Sequence, residues 1–165
     1  VYETDFPKIS DADIILVGCN EQRGNGKINN AQLISAADAV RRQLYQLYYW
    51  HKDLKLADIG NIKTGASLQD SYAAIKTVLN ELLNEKKTII FIGGSHDLTL
   101  PKYEAYSAKK QIIEVSCVDA LIDLNISSSL RSDNFLMELL TSEPNFIRHY
   151  NHIGFQSFYV HPNML

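Results

Sequence analysis

Short apolar runs closed by glycine alternate with amphipathic segments along the whole chain, and this alternation limits the folds it can adopt. The runs at 13–18 (Asp13, Ile14, Ile15, Leu16, Val17, Gly18) and 88–92 (Thr88, Ile89, Ile90, Phe91, Ile92) are apolar at consecutive positions. A strand covered on both faces reads this way, whereas a strand with one wet face alternates. Further strands are expected at 54–59, stopped by Gly60, at 111–118, and around 152–155. Between them lie helical patterns. One opens at Ser35, with Asp38 at capping-box spacing, carries Ala36, Val40, Leu44, Leu47 and Tyr48 on one face, and is expected to end near His51. A second opens at Ser67 with Asp70 in the same relation and runs to about Glu85, with Ile75, Val78, Leu79 and Leu82 inward. A third begins near Pro101, and a fourth spans 132–140. Five strands separated by four helices or long crossovers predict parallel pairing, in a doubly wound, mostly parallel α/β sheet with helices on both faces. No repeat, linker or low-complexity stretch divides residues 1–165, so one domain is expected.

Composition excludes several function classes. The chain has 165 residues, 45% of them hydrophobic, with 16 Lys and Arg against 19 Asp and Glu. The longest basic runs are pairs such as Arg41-Arg42 and Lys86-Lys87, whereas nucleic-acid binding needs clustered positive charge. No apolar stretch approaches the roughly 20 residues that cross a bilayer, and the N-terminus has no signal-peptide pattern. Cys19 and Cys117 lie far apart beside apolar runs and read as small buried hydrophobes of a reduced, cytoplasmic protein.

In an open parallel sheet, ligands bind where the loops leave the carboxyl ends of the strands. At those ends stand Gly93, Gly94, Ser95, His96 and Asp97 after one strand, and Asp119 and Asp123 after the next. An imidazole with several carboxylates is an oxygen-rich donor set, better matched to manganese or magnesium than to zinc or copper. The plainer alternative is that His96 and Asp97 cap a helix while Asp119 and Asp123 solvate a loop. Gly24-Asn25-Gly26 after the first strand suggests a nucleotide-binding loop, but its spacing is not the dinucleotide fingerprint.

Five segments in chain order together resemble the ureohydrolase family of arginase, agmatinase and formimidoylglutamase. They are 13–18 with Arg23-Gly24 and the Ala37–Arg41 stretch, Asp58-Ile59-Gly60, the 91–97 segment, the 118–123 segment, and Ile153-Gly154-Phe155-Gln156. The last is more similar to the formimidoylglutamase branch. The resemblance implies an arginase-like fold, incomplete here because family chains are longer, so that 165 residues would be an N-terminal portion. It also implies a manganese-dependent hydrolase of a linear amidine or guanidine carbon–nitrogen bond in a small molecule such as formimidoylglutamate.

On this resemblance His96, Asp119 and Asp123 occupy metal-ligand positions, while Leu121 stands where the family carries a second histidine. A leucine cannot ligate a metal, so the manganese site is expected to be weakened. The loop at 127–135 lacks the histidine that active relatives carry there, and His149, His152 and His161 come later, His152 reading as structural. Arg131 in that loop is the candidate for binding a substrate carboxylate. Two functions follow from different classes: a hydrolase with a degraded metal site, or a catalytically silent relative that serves as a binding or assembly module. Family habit and an uncovered edge strand both point to a homo-oligomer. The aromatic group Tyr45, Tyr48, Tyr49 and Trp50 reads as core or subunit contact, and Arg41-Arg42 as a solvated helix face.

Overall fold

A computed structural model describes residues 6–27, 35–125 and 127–160. Its five strands are β1 (Ile14–Cys19), β2 (Leu56–Ile62), β3 (Thr88–Ile92), β4 (Ile113–Val118) and β5 (Ile147–Ile153). Its helices are α1 (Ala36–Leu44), α2 (Leu68–Asn84), α3 (Thr99–Ala108) and α4 (Arg131–Thr141). All pairings are parallel, but the strands form two sheets, β2-β1-β3 and β4-β5, with β3 and β4 unpaired to each other. The sequence pattern cannot show that break, because the apolar run of β3 reads as a covered strand whatever lies beside it.

Helices cover both faces of β1. A side chain at Gly18 would collide with Ala37 and Arg41 of α1. Ile15 and Cys19, of the opposite parity along the strand, belong to the core formed with Tyr72, Ile75, Leu79 and Leu82 of α2, Leu100 and Tyr103 of α3, and Phe135, Leu136 and Leu139 of α4. With a partner strand on each side and a helix on each face, Ile15, Leu16 and Val17 are fully enclosed. Helix α2 starts where expected, because Ser67 and Asp70 satisfy each other's backbone amides in a complete capping box.

Three boundaries differ from the sequence reading by more than two residues. Strand β2 does not stop at Gly60. That glycine adopts φ +78°, and the register slips between Leu16 and Gly18, so the chain makes a bulge and pairs on through Ile62. Strand β5 lies earlier than expected. Helix α1 ends at Leu44, because Gln46 and Leu47 donate their N–H groups back only three residues, to Gln43 and Leu44, and turn the chain away.

The buried face of α1 is also not the expected one. Ala37 and Arg41 are buried, whereas Ala36 and Val40 are exposed. Arg41 is held by Asp58 on β2 through Nε at 2.7 Å and Nη2 at 3.0 Å, so an ion pair rather than the apolar stripe seats the helix. The solvated-face reading of Arg41 is therefore corrected, while Arg42 is exposed. Tyr48 and Trp50 follow the helix, 88% and 83% exposed, which corrects the core alternative for this aromatic group and leaves the subunit-contact one untested. Cys19 is buried and its thiol is pushed up to about 11 by desolvation, while Cys117 is half-buried; both are free. No helix among the described residues is long and apolar enough to cross a membrane.

Candidate metal centre

The turn that carries His96 is fastened to the loop after β1. Gly94 passes so close to that loop that an added Cβ would lie 1.8 Å from the Glu21 carbonyl oxygen. Ser95 donates its N–H to the same oxygen at 3.0 Å. Glu21 is itself buried and paired with Arg23, whose guanidinium also donates to the carbonyls of Gly65, Ala66 and Ser67. A single helical turn, His96–Leu98, follows and leads into α3. Within it the Asp97 side chain is fully buried and accepts a hydrogen bond from the Tyr72 hydroxyl of α2. Burial and this bond together raise the Tyr72 pKa. Asp97 points inward, and His96 points the other way, into the cleft.

Asp119 follows β4, and its loop is held by β5: Asp119 donates its N–H to the Ile153 carbonyl at 3.1 Å, and His152 Nε2 lies 3.1 Å from the Asp119 carbonyl oxygen. The other ring nitrogen of His152 lies 2.8 Å from the Tyr150 hydroxyl. With both nitrogens engaged, His152 is a structural residue. Asp119 Oδ1 accepts the Leu121 N–H at 3.0 Å, which turns the loop so that Asp123 comes back toward the cleft.

The three residues singled out from the sequence meet. His96 Nδ1 lies 2.8 Å from Asp123 Oδ2 and 3.6 Å from Asp119 Oδ2, and one donor atom from each residue falls within 4.8 Å of the others. Ligands at right angles around a divalent ion with bonds of about 2.1 Å sit roughly 3 Å apart, so these spacings suit one face of a hard-cation site. The nitrogen–oxygen donor set has the right chemistry for manganese. Hydrogen bonding to Asp123 raises the His96 pKa above its usual value, against the opposing effect of burial. Phe135 stands edge-on to the imidazole, with ring centroids 6.4 Å apart. A cavity of about 280 Å³ opens here, lined by Gly93, Gly94 and the three ligand candidates together with Lys102 and Cys117.

Leu121 is 47% exposed and offers no donor. Arg131 begins α4, where its guanidinium pairs with Glu138 at 2.6 and 2.7 Å and lies 5.1 Å from the Tyr72 ring centroid; it does not line the cavity. His149 lies in β5, and His161 is outside the described residues. Sequence reading missed Lys102 and the Asp97–Tyr72 pair. Lys102 shares no motif with the ligands, and only its place on α3, six residues after His96, hinted that it would face the same cleft.

The arginase family profile matches residues 12–160 of this chain. No curated protein matches it. Among solved structures, the chain is similar to Trypanosoma cruzi formiminoglutamase with Mn2+, at TM-score 0.78 and 21% identity, over 96% of this chain and 61% of that one. It is also similar to proclavaminate amidino hydrolase from Streptomyces clavuligerus, at TM-score 0.68 and 18% identity, over 92% of this chain and 53% of that one. A putative agmatinase from Clostridium difficile matches at TM-score 0.62 and 20% identity, over 79% and 49%. These likenesses show the fold, and the chain spans less than two thirds of each matched structure. With the profile covering nearly its whole length, the chain belongs to the arginase family.

Proposed function

We propose that this chain is the N-terminal, metal-binding portion of a manganese-dependent ureohydrolase that cleaves a linear carbon–nitrogen bond in a small amidine or guanidine, of formimidoylglutamate type. The observation that carries the reading is the convergence of His96, Asp119 and Asp123, which come from separate loops at the carboxyl ends of β3 and β4. The Mn2+ named in the similar trypanosomal formiminoglutamase structures supports the choice of metal.

A bound manganese would lower the pKa of water and polarise the substrate carbon. The chain's own residues do the rest. His96 supplies a nitrogen donor that must be unprotonated to bind, and the raised basicity that Asp123 confers makes protons its competitor. Asp119 and Asp123 supply negative charge, and Asp123 orients the imidazole until a metal displaces that hydrogen bond. Phe135 and the Gly93-Gly94 turn wall one side of the cavity, restricting water on that side.

Three ligands and a leucine at the fourth position make a weak site. This chain alone is therefore expected to bind one manganese and to release little or no ammonia or formamide from formimidoylglutamate. The test is a thermal unfolding scan with and without manganese, combined with metal analysis. At about a hundred times the dissociation constant, manganese stabilises by roughly 2.7 kcal/mol. That shift is expected in the wild type and not in His96→Ala; no shift in either overturns the metal site.

A second reading is a catalytically silent relative that keeps the fold as a binding module, and Leu121 at a ligand position favours it. It gains if metal content and melting temperature both ignore manganese.

A further inference from the structure

Tyr72, buried on α2, touches both of the segments that carry the ligand candidates. Its hydroxyl donates to Oδ2 of Asp97, the neighbour of His96, and its ring centroid lies 5.1 Å from the Arg131 guanidinium carbon at the start of α4. On the His96 side, Asp97 is fully buried, and its Oδ1 has no hydrogen-bond partner among the described residues. A Cβ added at Gly24 would collide with the same carboxylate, so the His96 turn is held between the Tyr72 hydroxyl and the Gly24 backbone. A buried carboxylate with one oxygen unsatisfied is costly, and a bond that only held α2 to the turn would cost less between neutral groups.

On the Asp123 side, Arg131 is fixed by Glu138 at 2.6 Å. Two residues further along α4, the Asp133 carbonyl accepts the Asn125 N–H at 2.9 Å, and its carboxylate accepts the Ser128 hydroxyl at 2.8 Å. Asn125 lies two residues past Asp123, so the place of the first turn of α4 decides where Asp123 returns to the cleft.

We propose that Tyr72 is a positioning residue for the metal centre: through Asp97 and Arg131 it sets the separation of His96 from Asp119 and Asp123. This deepens the metal-centre reading, on which it rests for the ion but not for the geometry. The hydroxyl anchors one segment by a hydrogen bond to a buried charge, and the ring anchors the other by the attraction of its face for a cation. Groups that hold ligands in place in this way are worth about 10–100-fold in metal affinity.

The test reads two quantities in each variant: manganese affinity by calorimetry and, without metal, the nuclear Overhauser effect between the rings of His96 and Phe135, whose centroids lie 6.4 Å apart. Tyr72→Phe keeps the ring beside Arg131 but strips Asp97 of its bond. It is expected to bind manganese at least about tenfold more weakly than wild type and to weaken the contact between the rings. Asp97→Asn, whose side-chain carbonyl accepts the same bond, is expected to stay within a few-fold of wild type in affinity and to keep the contact. Tyr72→Phe combined with Asp97→Leu replaces both partners by apolar groups. That double variant is expected to melt near wild type and still to bind manganese about tenfold more weakly, whereas a merely structural bond predicts affinity that recovers with stability. Unchanged affinity in Tyr72→Phe, or affinity restored in the double variant, overturns the proposal. In a protein that ignores manganese the ring contact decides: its loss in Tyr72→Phe leaves the positioning role standing and removes the metal centre, and its persistence overturns both.

Discussion

His96 and Asp123 are 27 residues apart in sequence, yet His96 Nδ1 and Asp123 Oδ2 are joined at 2.8 Å across the cleft where β3 and β4 fail to pair. The bond is what a metal must displace, and its pH dependence has a definite sign. The folded-state pKa of His96 is raised, so the stability from this pair is fully present below the unfolded value near 6.5 and is lost as pH rises through the folded value. Manganese needs the neutral ring, so its effect grows as the pair's stabilisation fades. Melting curves of wild type and His96→Ala from pH 5.5 to 8 should converge without metal and diverge with it. A manganese shift that is independent of pH would mean that His96 is not a ligand.

Restoring a donor at position 121 should strengthen the site. Leu121 is half exposed, and its bond to Asp119 is made by its backbone N–H, so Leu121→His should change stability by no more than about 0.5 kcal/mol. Manganese affinity, measured by calorimetry, should rise at least about tenfold, equivalent to roughly 1.4 kcal/mol. An unchanged affinity would show that position 121 does not face the ion.

Gly94 has no room for a side chain. With the Glu21 carbonyl oxygen 1.8 Å from a built Cβ, Gly94→Ala must push the β3 turn away from the loop after β1. Overpacking of this kind costs about 1–3 kcal/mol or more. Chemical denaturation should show that loss together with weakened manganese binding, since the same turn aims His96. Gly60 is a contrast: a side chain there would meet open space but would be strained by the backbone, which has φ +78°.

The Asp58–Arg41 contact should survive mild acid and be lost only at low pH. Burial by itself raises the Asp58 pKa, but the Arg41 guanidinium, the Tyr45 hydroxyl and the Gly60 N–H together hold it below the usual carboxylate value. Its contribution is therefore complete above about pH 3.9, the unfolded value, and is lost as pH falls through the lower folded one. Removing one member of a buried pair leaves the other uncompensated at about 3–5 kcal/mol, so Asp58→Ala should unfold at much lower urea than wild type near neutral pH. The gap between the two should narrow in acid.

How much of this was legible in the sequence depends on where each signal lies. The order and type of the elements, the capping box at Ser67 and the bounds of β3 were visible because they are local patterns. The convergence of His96, Asp119 and Asp123 was visible because strands joined by helical crossovers run in the same direction, which puts the loops after them at the same end. The ion pair of Arg41 with Asp58 was not, since a periodicity argument ranks Val40 and Leu44 above an arginine, and the pair spans two elements. Lys102 and the Asp97–Tyr72 bond stayed hidden for the same reason: each joins residues whose contact is fixed only by how α2 and α3 pack. The break between β3 and β4 left no trace, because Thr88, Ile90 and Ile92 have the side chains of an interior strand whatever lies beside them.

That break should be written into the rates at which backbone amides trade hydrogen for deuterium. In a parallel sheet the N–H and C=O of one residue point to the same neighbour, and those of the next residue point to the other side. Strand β1 has a partner on both sides, so every one of its amides should exchange slowly. On β3 and β4 only alternate amides have a strand to bond to, and the rest should exchange orders of magnitude faster. Any polypeptide that docks in the gap must erase this every-other-residue rhythm on two strands at once, which gives sheet completion a fingerprint readable without locating the strand that supplies it.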